Sequence, residues 1–159
     1  MVATEGSTAT FEFADSTYSD SDPVVGNGTM NRVAKTKRPA AGSHAISGSW
    51  QISKMESVTN NALMFTLRLE DDSLSMTNPT GQSYTAKLDG TDAPYKGDPG
   101  INSVSVMRLS KDTFVETDKR DGKAVRTRRL MVNPGDAKTM SIIVDDSFKG
   151  TTVLVAEKQ

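Results

Sequence analysis

The 159-residue chain carries 19 basic and 20 acidic side chains, a formal charge of −1, and no cysteine. Near-neutrality leaves no field to draw it to nucleic acid or an anionic membrane, and the missing thiols exclude disulfides, thiolate catalysis and cysteine-ligated metal. With 35% apolar residues and no run near the ~18 that cross a bilayer, the composition fits half-wetted sheets; neither a nucleic-acid partner nor membrane insertion is expected.

In chain order, residues 8–16 (TATFEFADS) match residues 139–147 (TMSIIVDDS) in their Thr start, apolar positions and Asp-Ser end. Gly28-Thr29 with Val33-Ala34 likewise matches Gly150-Thr151 with Val155-Ala156. One hairpin thus occurs twice, which predicts an N-terminal β-hairpin arm and linker over 1–45, the remnant of a preceding tandem unit, and a complete unit over 46–159. The opening MVATEGSTAT lacks the basic and apolar regions of a secretory signal. Gly26-Asn27-Gly28 has neither the third glycine nor the following helix of a dinucleotide fingerprint, so it reads as a turn. Residues 35–47 (KTKRPAAGSHAIS) read as linker and carry His44, the one histidine, as an exposed loop residue; any Ser-His-Asp triad or multi-histidine metal site would have to pass through it.

From Gly48 onward, period-two alternation bounded by turn residues predicts strands near 48–56, 62–70, 73–78, 83–88, 102–109, 112–119, 123–132, 138–146 and 150–157. Leu63, Phe65, Leu67 and Leu69 form one apolar face, and Tyr84, Ala86 and Leu88 another. Asp121-Gly122 supplies the positive φ angles of a two-residue type I′ hairpin. Residues 78–81 (NPTG) and 133–136 (NPGD) are wider turns. Residues 89–100 (DGTDAPYKGDPG), rich in proline and glycine, are expected as a long loop at a cavity mouth.

Gly48-Ser49-Trp50 resembles the opening motif of the calycin superfamily, the lipocalins and fatty-acid-binding proteins. Together with residues 83–100, 103–123 and the closing VAEKQ it is similar to a group of bacterial, often exported, lipocalin-like proteins; the likeness covers about residues 42–159. The Thr-Asp-Tyr signature of lipocalins is absent. The resemblance implies an all-β fold, an antiparallel up-and-down calycin-like β-barrel of 8–10 strands with the extra N-terminal hairpin, and an exported location. It also implies that Trp50 seals one end beneath an arginine, for which Arg126, Arg128 and Arg129 are candidates and Arg129 is preferred.

A closed barrel of this size leaves room for one small apolar ligand without a cofactor, lined by Leu63, Phe65, Leu67, Tyr84, Leu88, Tyr95 and Val106. Because Glu116 alternates with Phe114, both face inward together, and an inward carboxylate must be paired or protonated. Paired with an arginine it is structural. Otherwise Glu116, Tyr84 and Arg129 would serve a cofactor-free isomerase or cyclase as acid/base, donor and anion anchor. Asp89, Asp92 and Asp98 have no EF-hand spacing, so metal is not expected. The basic run Lys119, Arg120, Lys123, Arg126, Arg128 and Arg129 reads as edge protection or an anion site. A third expectation is strand exchange with a second copy through the N-terminal hairpin, giving a homodimer.

Overall fold

The computed structural model describes residues 2–5, 7–17, 22–33, 42–146 and 150–159. Residues 18–21, residues 35–41 of the linker, and Ala34 and Ser147 of the matched hairpins lie outside them. The chain divides into two units, Met1–Met64 and Phe65–Gln159, and the strands of both are antiparallel.

The first unit is one sheet in chain order: β1 (Val2–Glu5), β2 (Thr8–Asp15), β3 (Val24–Arg32) and β4 (Trp50–Val58). Gly26 and Gly28 lie within β3, not in a turn, with Phe13 directly opposite Gly26 and Phe11 opposite Gly28. Both rings reach over backbone that carries no side chain: a Cβ on Gly26 would stand 2.7 Å from the Phe13 ring. The expected hairpin arm is therefore part of a four-stranded sheet. Its fourth strand, which holds Trp50, hydrogen-bonds to β3, so the division falls after Met64 instead of at 45/46. The two matched hairpins also differ in register, since Gly28 faces Phe11 in mid-strand whereas Gly150 faces Asp146 at a strand end.

The second unit is a nine-stranded meander: β5 (Thr66–Glu70), β6 (Ser73–Thr77), β7 (Ser83–Lys87), β8 (Asp89–Lys96), β9 (Ser103–Arg108), β10 (Thr113–Arg120), β11 (Lys123–Val132), β12 (Thr139–Asp146) and β13 (Gly150–Glu157). Each strand pairs with its neighbour in sequence. The up-and-down order is as expected, but the sheet curls as a half-barrel, with β5 and β13 as edges that pair with no further strand among the described residues. Its inner face gathers Leu74, Met76, Tyr84, Ala86, Tyr95, Val104, Val106, Phe114, Leu130 and Ile142 into one buried cluster. Cross-strand register brings them together, as in the row Phe114, Leu130, Ile142, Leu154.

Two sequence expectations change here. Residues 62–65 do not extend β5: a 3-10 turn at Asn60–Ala62 leads into irregular chain, leaving Leu63 and Phe65 exposed. Most of the expected mouth loop 89–100 is β8, whose pairing shifts register between Asp89 and Asp92, around Gly90 with its φ of +84°. The loop proper is the turn beyond Lys96. There Gly97 has a φ of +78°, and a methyl group on it would overlap the Gly81 carbonyl. Gly122, with a φ of +75°, has open space around it. Gly122→Ala is expected to cost about 1–2 kcal/mol from φ alone and Gly97→Ala clearly more, read as urea-unfolding midpoints. Equal losses would contradict the overlap.

Candidate functional site

The β10–β11 hairpin places four charged side chains on the inner face. Its turn is the expected Asp121-Gly122, with φ angles of +51° and +75° joining Arg120 and Lys123. An unbroken ladder from that turn would set Thr127 opposite Glu116 and turn Arg129 inward. Instead the register slips between Asp118 and Lys119, Val125 becomes the extra residue, and Glu116 faces Arg128 while Asp118 faces Arg126. A one-residue slip exchanges the two faces of a strand. Arg128 and Arg126 thus turn inward, and Arg129 is exposed beside Val115 and Ile143. The expected role of Arg129 beside Glu116 is taken by Arg128.

Phe114 and Glu116 do share the inner face, and Glu116 and Asp118 are buried at 2% and 0% exposure. Glu116 Oε1 accepts from Arg128 Nη2, and Glu116 Oε2 accepts from the Tyr84 hydroxyl at 2.8 Å. Asp118 Oδ2 accepts from Arg126 Nε at 2.7 Å, with Arg126 Nη2 at 2.6 Å and Arg128 Nη2 at 3.5 Å. Tyr95 packs on Tyr84, ring centroids 5.7 Å apart. Three buried polar atoms of this cluster have no hydrogen-bond partner among the described residues: the Tyr95 hydroxyl, Asp118 Oδ1 and Arg128 Nε.

Burial governs the protonation of these groups. Loss of hydration pushes the Glu116 carboxyl up to about 7; the Arg128 guanidinium opposes the shift and the neighbouring Asp118 carboxylate adds to it. Burial, then the charge of Glu116, drives the Tyr84 hydroxyl far above its ordinary range, so Tyr84 acts as a donor. Burial also lifts Tyr95 to about 12. Arg128 stays charged because both carboxylates outweigh its own desolvation.

The other predicted site residues separate. Tyr84, Tyr95 and Val106 are core, Leu67 and Leu88 pack half-buried against it, and Leu63 and Phe65 lie outside it. Trp50 does receive an arginine, but it is Arg32 of β3, whose guanidinium carbon sits 4.2 Å from the ring centroid. Adjacent pairing makes this contact, Arg32 being the register partner of Trp50. Arg32 also donates to the Ser47 and Ala45 carbonyls at 2.5 and 2.6 Å, and the indole N–H to the Ile46 carbonyl at 2.8 Å, which pins the segment before β4. Arg32→Ala is expected to cost about 1 kcal/mol and to shift emission from Trp50, the only tryptophan.

His44 is exposed, as expected. Asp89 holds Thr91, Asp92 pairs with Lys119, and Asp98 holds Gly100 and Gln82. Among the described residues no three His, Cys, Asp or Glu side chains gather as a metal site. A surface cleft of about 310 Å³ is lined by Asp71, Asp72, Lys87, Leu88, Asp89 and Arg108. No family model, curated protein or solved structure matches the chain.

Proposed function

We propose that the second unit is a binding module for one small, mostly apolar molecule, held against the inner face of the curled sheet. The observation that carries this reading is the group of buried polar atoms left without partners in an apolar surround, because an orphaned buried polar atom costs about 1–3 kcal/mol unless something completes it. Sites for small molecules commonly combine an apolar wall with a few convergent polar groups. The way in is the open side. Toward the edges the inner face turns from buried to half-exposed, with Leu69 at 47% and Leu154 at 50% exposure.

The test is thermal unfolding of the full chain, followed by circular dichroism, against aliphatic and aromatic molecules of graded length. A ligand at about 100 times its Kd adds about 2.7 kcal/mol, so a size-dependent rise in Tm is expected. A flat profile across the series would refute the reading. A second reading, a cofactor-free isomerase or cyclase, is favoured by one observation: Glu116, held by Tyr84, titrates near neutrality, where a general acid/base works best. Under it Glu116→Gln abolishes turnover while binding persists; under the binding reading Glu116→Gln leaves the ligand's effect on Tm in place.

A further inference from the structure

We infer that the inner-face site selects a neutral molecule bearing a hydroxyl group, which donates to Asp118 Oδ1 and accepts from both Arg128 Nε and the Tyr95 hydroxyl; this rests on the binding reading above. The first argument is hydrogen-bonding capacity. Asp118 Oδ1 can only accept while ionised, Arg128 Nε can only donate, and the Tyr95 hydroxyl can do either. A partner offering donors alone or acceptors alone leaves one of the three orphaned, whereas a hydroxyl offers one donor and two acceptor lone pairs.

The second argument is charge. Glu116 and Asp118 are matched by Arg128 and Arg126, and each guanidinium already contacts a carboxylate. With both carboxylates ionised, a ligand carboxylate would bring a desolvated negative charge to a set of two anions and two cations that is already balanced, and a ligand ammonium would bring the opposite surplus. Either costs far more to bury than a neutral polar group. Glu116 does not compete for the ligand, because both its oxygens are occupied.

The third argument is position. Arg128 lies opposite Val144, which lies opposite Thr152 on the edge strand β13. From the polar cluster an aliphatic tail can therefore run past half-buried Val144 toward the open edge of the sheet.

Calorimetric titration of the full chain at about pH 8, where Glu116 is mostly ionised, with 1-octanol, 1-chlorooctane and octanoate tests this. 1-Octanol is expected to bind about tenfold or more tightly than either of the others. Tyr95→Phe is expected to reduce that preference several-fold and, since it removes an unpartnered buried hydroxyl, to leave the unliganded chain at least as stable. A merely structural Tyr95 would leave the octanol-to-chlorooctane ratio unchanged. Octanoate binding as tightly as octanol, or equal binding of octanol and chlorooctane, overturns the inference while sparing the binding reading. Failure of all three to bind overturns the inference, and the binding reading falls with it only when the graded aliphatic and aromatic series also leaves Tm unchanged.

Discussion

Replacing Arg128 by methionine is expected to destabilise the chain by about 3–5 kcal/mol, the range found when one partner of a buried ion pair is removed. Arg128 has its side chain between two carboxylates that are essentially inaccessible to water, Glu116 and Asp118. Asp118 keeps Arg126, but Glu116 keeps only the Tyr84 hydroxyl. The triple variant Arg128→Met, Glu116→Leu, Tyr84→Phe removes both charges and the hydroxyl that would be orphaned, and apolar replacements of buried pairs are often neutral or better. It should regain most of the loss in urea unfolding. If it is no more stable than Arg128→Met alone, the loss comes from the packing of the arginine stem and not from an uncompensated carboxylate.

The second large effect is a decline of stability with rising pH. In the unfolded chain Glu116 titrates near its ordinary value of 4.5, and in the folded chain at about 7. Between these values the folded state holds a proton that the unfolded state has released, so unfolding becomes easier as pH increases. The contribution is complete below about 4.5, drains away toward 7 and is gone above it, amounting to about 3 kcal/mol across the window. Glu116→Gln removes the titration, so wild type minus variant should fall through that range and then level. A difference that is flat, or that rises, shows Glu116 to be ionised throughout. The two results are linked: Arg128→Met should cost more at pH 8 than at pH 5, since only the ionised carboxyl needs its partner.

Much of this architecture is legible in the residues. Val104 and Val106, Tyr84 and Ala86, and Phe114 with Glu116 alternate as half-buried strands must, and all six are buried. Asp121-Gly122 announces its hairpin. Strand β8 is hidden because Gly90 and Pro94 read as turn formers, yet β8 pairs only in part with each neighbour and tolerates them. Leu63 and Phe65 continue an apolar alternation that the chain abandons. The choice between Arg128 and Arg129 turned on a single extra residue: β11 carries apolar side chains on both faces, so its alternation does not reveal the bulge at Val125. Asp118, fully buried with one oxygen unpartnered among the described residues, reads as an ordinary hairpin acid until the bulge sets it opposite Arg126. The resemblance implies a late-strand arginine for Trp50, whereas the contact comes from Arg32 on the neighbouring strand.

The strictly sequential order of the nine strands bears on how this unit is assembled in time. No connection has to cross the sheet, so each ladder closes a loop only a few residues long and little chain entropy is lost before it is rewarded. Formation can start at the tight β10–β11 reversal and spread outward to either side like a zip, reaching the outermost ribbons last. Hydrogen exchange begun during refolding should therefore protect the amides of Phe114 and Leu130 first and those of Arg68 and Leu154, which face Ser75 and Ile142 in the outermost ladders, last.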